Sequence, residues 1–413
     1  MTNKSELYAP KEWFKYHYDI VNEAIDPHLY DVKEIVQSLA AADICHDKPA
    51  IIKYEGPCNT YRMMCWQIPV LPDNPLSRKC IKLWAEFSVG LFFSDDMLET
   101  WNENEMRQLC DAFQMLNENL CEQFPEFPTM NDMKHWLSQR NVNEKVIPQC
   151  LFLTTFGINI AKSVIHLGTF SQDDVKDYWR RMVVVLALYY EGVKTNCSPK
   201  EVPLDELLWR RIFNSGTSIY HYSFQPVFGL IGKLKAHMTL IHELGFLNTM
   251  FVAIINDVYS FVREGKAEDL GFIMCNVLIR LKEENAAPAG KHTVENAVQV
   301  LNGILKVVYK KIEMAKEEYA NNTELCNLLD NFGASTVGWY FFHHFSGRYK
   351  DHHWPLSLVE VSEKELEEWK NCKEEDLPEE VKYILIKFSA KAKRFSDRIE
   401  SGVVDIHANL LPA

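Results

Sequence analysis

Two stretches of this chain set oxygen donors at helical spacing, in a pattern that could hold a divalent cation. Asn256, Ser260 and Glu264 recur every four residues. At 3.6 residues per turn they share one helix face within about 80° of arc. The residues that lead into them on that face, Thr249, Val252 and Ala253, are small or apolar. An otherwise greasy helix therefore presents an amide oxygen, a hydroxyl and a carboxylate in a row. Hard oxygen ligands of this kind suit Mg2+, which keeps waters or phosphate oxygens at its remaining octahedral positions. Gly265 follows at once and suits a helix stop. The ordinary alternative is a solvated polar stripe. Average residue usage yields this pattern in about one chain in a hundred of this length, and an apolar approach does not fit a wet face.

The other stretch is Asp95-Asp96-Met97-Leu98-Glu99. A DDxx(D/E) string arises by chance in about one acidic chain in seven, and this chain carries a second copy at Asp173-Asp174-Val175-Lys176-Asp177. Context separates the two. The first ends the apolar, aromatic run from Leu83 to Phe93, so Asp95 and Glu99 share a face with Phe87, Leu91 and Phe92 beneath them. That reads as a carboxylate pair at the rim of an apolar cavity. The second copy follows Thr169-Phe170-Ser171, where acids cap the first turn of a new helix and favour its dipole.

The elements that must carry these residues are helices. Helical periodicity covers about 77–102, 105–124, 149–167, 173–191, 204–223, 234–264, 293–321 and 324–344. Breaker clusters such as Cys197-Ser198-Pro199 and Ala286 to Gly290 separate them. Met182 to Tyr190 and Phe246 to Ile255 are apolar on most faces, as helices inside a large bundle are. A short strand is expected at Ala50 to Tyr54 and little other sheet. No glycine-rich strand-to-helix turn is present, which argues against nucleotide-binding α/β folds. The expected architecture is a single all-α domain over 1–413, a helical bundle around a central apolar pocket. The segments 1–70 and 355–413 read less clearly.

Composition narrows the function. The 413 residues are 47% hydrophobic and carry a net charge of −13. This balance argues against nucleic acid and anionic membrane surfaces as partners. An acidic protein that handles an anionic substrate must concentrate positive charge locally, through a few Arg or Lys side chains or bound cations. The eleven cysteines are scattered, with no CxxC pair, and read as free thiols in a reducing compartment. The first residues break any apolar signal sequence with charges. No run approaches the roughly 18 apolar residues of a membrane span. A soluble, cytoplasmic monomer or homodimer is expected, without stable membrane insertion.

With both motifs in view, the chain resembles class I terpene synthases of the microbial, single-domain type, and in length and motif style the octocoral terpene cyclases. The likeness spans motif order from about residue 84 to 349, and its most specific part is Asn256-Asp257-Val258-Tyr259-Ser260-Phe261-Val262-Arg263-Glu264. It implies a carbon–oxygen lyase that ionises a linear prenyl diphosphate and cyclises the carbocation. Three Mg2+ ions, with Mn2+ as a substitute, would be held by Asp95, Asp96 and Glu99 and by Asn256, Ser260 and Glu264. Glu99 stands where part of the family has Asp, so either metal binding or a hydrogen bond to the Arg cluster is open to it. The resemblance places a diphosphate-sensing Arg at Arg210 or Arg211, followed by a helix break at Asn214-Ser215-Gly216 whose carbonyl acts in ionisation. It also places diphosphate contacts at Arg263 and at the pair Arg348-Tyr349. Phe87, Phe92, Trp339 and Tyr340 are candidates to stabilise the cation through their ring faces, although each taken singly fits core packing. Length and subgroup resemblance favour geranylgeranyl diphosphate, with farnesyl diphosphate next.

Four other readings compete. A chain-elongating prenyltransferase would need a second DDxxD near the place of Asn256, and a head-to-head condensing synthase would need paired DxxxD motifs. A non-catalytic helical scaffold would leave the apolar approach to both acidic motifs without a purpose. His343, His344, His352 and His353 lack the HExxH spacing of metal hydrolases.

Overall fold

Helical spacing in the sequence becomes a bundle whose central helices close a ring. The computed structural model describes residues 5–22, 37, 40, 60–98, 100–194, 211, 213–264, 291–349, 356–377, 381–382, 393 and 395–402. Its α-helices in chain order are α1 (Lys11–Phe14), α2 (His17–Asn22), α3 (Thr60–Gln67), α4 (Pro75–Leu98), α5 (Glu103–Gln123) and α6 (Met130–Ser138). There follow α7 (Ile147–Leu167), α8 (Gln172–Val193), α9 (Thr217–Val227), α10 (Met238–Glu264), α11 (Lys291–Glu318), α12 (Thr323–Phe345) and α13 (Glu363–Lys370). The expected all-α class is what the chain adopts.

Local signals set where these helices start. Asn74 accepts from the Ser77 amide at 2.8 Å, and Pro75 takes the first position of α4, where its missing N–H is no loss. Asn102 with Glu105, Thr129 with Asp132 and Ser362 with Glu365 form reciprocal capping boxes on α5, α6 and α13. Ser171 caps α8 through the Asp174 amide at 3.1 Å, and Asp173 and Asp174 occupy its first turn. Asp174 also binds Lys235 at 3.0 Å. The second DDxxD copy is thus a helix start.

Packing follows the apolar stripes. α4 lies against α3 and α9, α3 against α12, α12 against α10, and α10 against α9. These five helices make a closed ring of neighbours, backed by α7 and α8. Across the ring, Trp84 of α4 lies 4.9 Å from the Tyr220 ring of α9, and Tyr220 meets Trp339 of α12 edge-on at 5.5 Å. Gly338 lets α12 approach α3: a Cβ there would run into the Trp66 carbonyl oxygen.

Two expectations need correction. α7 and the stretch Lys235–Ser260 are long and apolar enough to cross a membrane by length and composition, but about two thirds or more of each apolar window is buried inside the bundle. They are core helices whose greasiness is spent on neighbours. A small sheet was also not anticipated: β1 (Ser5–Ala9) pairs in parallel with β2 (Leu356–Glu360), Leu7 opposite Leu358. Leu7 and Ala9 are fully buried. Asn302 of α11 holds β1 by accepting from the Tyr8 amide and donating to the Glu6 carbonyl, both at 2.9 Å. The expected strand at 50–54 lies outside the described residues. Among those described, Cys65, Cys80, Cys110, Cys121, Cys150, Cys326 and Cys372 form no disulfide.

Candidate active and metal site

The two acidic motifs meet through one guanidinium. Arg211 donates from Nε and Nη2 to Asp257 Oδ1 at 3.0 and 2.8 Å, from Nη2 to Asn256 Oδ1 at 2.7 Å, and from Nη1 to Asn214 Oδ1 at 2.8 Å. Its planar fork suits this grip on several acceptors. Asp257 is 1% exposed, so a partner for its charge is needed. Asp257 was not among the expected site residues, although its place beside Asn256 in the motif was a usable signal.

The other side of Asn256 faces α12 and the turn after it. Its Nδ2 donates to Tyr349 OH at 2.8 Å and lies 3.3 Å from His343 Nε2. His343 Nδ1 faces the Trp339 carbonyl at 2.7 Å. A carbonyl only accepts, so Nδ1 carries the proton and Nε2 is left as an acceptor. Burial lowers the His343 pKa from 6.5 to about 3, which keeps the ring neutral. Nothing in the sequence links His343 to Asn256: the i, i+4 step from Trp339 only puts both on one face of α12. Nearby, Tyr259 OH lies 3.0 Å from His344 Nδ1.

Asp95 and Asp96 occupy the last turn of α4. Tyr189 of α8, also unforeseen, donates to Asp95 Oδ1 at 3.4 Å. Desolvation raises the Asp95 pKa to about 6, against the opposing pull of Arg348 and Arg211. Both cations are therefore in electrostatic reach of the first motif. Arg348 approaches Asp96 at 3.5 Å, and its guanidinium sits 5.0 Å from the centre of the Phe92 ring.

Beside these charges lies a cluster of packed aromatic rings. Phe92 stacks on Phe342 at 5.9 Å, and Trp339 meets Phe342 edge-on at the same distance. Phe87 stacks on Phe156 at 4.0 Å and on Phe152 at 5.4 Å, so it is built into the α4–α7 contact. Tyr340 does not join the group. It stacks on His344 and meets Phe341 edge-on, and its hydroxyl donates to the Leu356 carbonyl at 3.5 Å. One residue on from Trp339 is about 100° around the helix, which turns Tyr340 toward β2. The expected break before α9 is present: Gly216 has φ of 67°, and a Cβ there would lie 3.1 Å from Leu91 Cδ2. Ser215 Oγ lies 3.1 Å from Thr217 Oγ1. The break thus abuts α4 one turn before Asp95.

Glu99 and Arg210 lie outside the described residues, as do the side chains of Arg263 and Glu264. Ser260 is on α10 and buried. Among the described residues no three His, Cys, Asp or Glu side chains converge as a metal cluster. The oxygen donors among the described motif residues are two carboxylates, an amide and a hydroxyl, from Asp95, Asp96, Asn256 and Ser260. All are hard ligands that fit Mg2+ or Mn2+.

No protein-family model matches the chain, and no curated protein matches it. Solved structures do. A variant of cucumene synthase aligns with a TM-score of 0.51 at 11% identity, over 83% of this chain and 98% of that one. The SVS_A2 protein from ancestral sequence reconstruction aligns with a TM-score of 0.50 at 12% identity, over 88% and 95%. At such identities the likeness establishes a terpene-synthase-type all-α fold.

Proposed function

We propose that this chain is a class I terpene cyclase that ionises a linear prenyl diphosphate and cyclises the resulting carbocation. One observation carries the reading: Arg211 grips Asn256 and Asp257 while standing within electrostatic reach of Asp95. Two motifs distant in sequence thereby form one rim, with an aromatic interior below. A scaffold has no need to gather Arg211, Arg348, Asp95 and Asn256 at the mouth of an apolar ring of helices.

In this reading Arg211 and Arg348 receive the diphosphate, and Tyr349 positions the head group beside Asn256. Asp95, Asp96, Asn256 and Ser260 would hold divalent cations, with Glu99 and Glu264 as the remaining motif acids. Bound Mg2+ supplies the positive charge that offsets the leaving diphosphate as its carbon–oxygen bond breaks. Phe92 and Trp339 present ring faces to the carbocation, worth about 0.5–2 kcal/mol each. The packed ring of helices excludes water that would quench it. Chain length and subgroup resemblance favour geranylgeranyl diphosphate over farnesyl diphosphate.

The test is to incubate purified protein and Mg2+ with geranyl, farnesyl or geranylgeranyl diphosphate separately and to analyse solvent extracts for cyclic hydrocarbons or alcohols. We expect cyclic product from geranylgeranyl diphosphate. Longer prenyl diphosphates formed only on addition of isopentenyl diphosphate would assign the protein to chain elongation instead. No turnover of any of the three would sink the cyclase reading.

A further inference from the structure

The orientation of Asn256 is controlled from two sides. A side-chain amide can be turned by 180° with little change in shape, which exchanges its oxygen for its NH2. Only one orientation offers an oxygen to a cation. Arg211 has donors alone, so the atom it meets at 2.7 Å must be the oxygen. On the opposite side, the Trp339 carbonyl 2.7 Å from His343 Nδ1 requires a proton on that nitrogen. His343 Nε2 is then an acceptor, and the Asn256 atom 3.3 Å away must be the NH2. Tyr349 OH accepts from the same NH2 at 2.8 Å. His343 is 1% exposed, and its ring packs 4.8 Å from Tyr349 and 5.7 Å from Tyr259. It has no room to swing.

We infer that His343 is a positioning residue that locks the Asn256 amide with its oxygen toward the rim, readying it as a divalent-cation ligand. This rests on the reading of Asn256 as a ligand. The chain of contacts runs Trp339 carbonyl, His343, Asn256, and each link fixes the next. Outer groups that orient a ligand in this manner are commonly worth 10–100-fold in metal affinity. Without the lock, Arg211 and Tyr349 alone would hold the oxygen outward; once Arg211 turns to a bound diphosphate the amide would be free to flip, and cation binding would weaken by the fraction of time it is turned away.

Two substitutions separate this role from simple packing. In His343→Gln the side-chain amide reaches the place of Nε2 and can present an oxygen to Asn256 Nδ2. In His343→Asn it reaches only the place of Nδ1 and can satisfy the Trp339 carbonyl. Asn leaves more empty volume than Gln at this buried position, so circular dichroism and the thermal midpoint first establish that both variants are folded before their binding is compared. The readout is Mn2+ binding by electron paramagnetic resonance in the presence of inorganic diphosphate, with no turnover involved. We expect His343→Gln to bind Mn2+ within about threefold of the unaltered protein and His343→Asn to bind on the order of tenfold more weakly. A structural role through Trp339 would reverse that order. Equal binding by the two folded variants, or the reversed order, overturns the lock. Asn256→Ala serves as the control on the underlying reading: if it binds Mn2+ unchanged, Asn256 is not a ligand and the assignment falls for that separate reason.

Discussion

At the scale of single residues, the two near-identical acidic strings are told apart by what surrounds them. Asp95 sits desolvated beside Tyr189, in reach of Arg348 and Arg211. Asp174 binds Ser171 and Lys235 at an exposed helix start, and those hydrogen bonds lower its pKa. Asp95→Ala should therefore abolish prenyl diphosphate ionisation, read as release of diphosphate, whereas Asp173→Ala should leave it within about twofold; equal damage from both would contradict the distinction. Arg211 has a second role that can be measured without substrate. Removing its charge takes a guanidinium from the buried Asp257, and breaking a buried pair costs about 3–5 kcal/mol. Arg211→Leu is expected to lower stability in urea denaturation by that order. A loss under about 1 kcal/mol would mean that Asp257 is stabilised by other groups.

At the scale of elements, the break before α9 brings backbone close to α4. Gly216 holds a left-handed conformation that costs about 1–2 kcal/mol for other residues, and its Cβ would crowd Leu91. Gly216→Ala should thus destabilise the protein by about 1–2 kcal/mol and shift the carbonyls at the rim, seen as slower diphosphate release. Stability equal to that of the unaltered chain would show that the break tolerates other backbones. Much of this scale was legible in the sequence. The periodic stretches near 77–102, 149–167 and 324–344 became α4, α7 and α12 with ends within a few residues, because long apolar stripes dominate local competition. Less legible were α6 and α13, helices of nine and eight residues whose signal lies in capping boxes rather than stripes. β1 and β2 escaped because each is five residues long and pairs with a partner at the other end of the chain. In the site, motif spacing exposed Asp95 and Asn256. It could not expose His343 or Tyr189, whose roles exist only where α8 and α12 pack beside the motif helices. Nor could it place Tyr340, since the face that α12 turns to β2 depends on that unforeseen sheet.

At the scale of the whole molecule, a net charge of −13 coexists with a rim where Arg211 and Arg348 face the acidic motifs. Those two cations stand against Asp95, Asp96 and Asp257, so in the proposed reading bound divalent cations would have to supply the rest of the positive charge an anionic substrate needs. The interior also carries neutral histidines. Burial lowers His17 from 6.5 to about 4, His221 to about 3 and His242 to about 4. Below pH 6.5 the unfolded chain takes up protons that the folded chain refuses, so stability is full above that value and falls as pH drops toward 4. The thermal midpoint should therefore decline between pH 7 and pH 5, and less steeply in His221→Leu; an unchanged slope would place the acid sensitivity elsewhere. Metal-assisted ionisation is the activity proposed for this rim. The most direct measurement is the rate of diphosphate release from geranylgeranyl diphosphate, without isopentenyl diphosphate, in Mg2+ and after chelation. The account predicts release with cyclic product in Mg2+, a loss of at least about a hundredfold on chelation, and the same loss in Asn256→Ala. Release that persists after chelation, or is undiminished in Asn256→Ala, would contradict it.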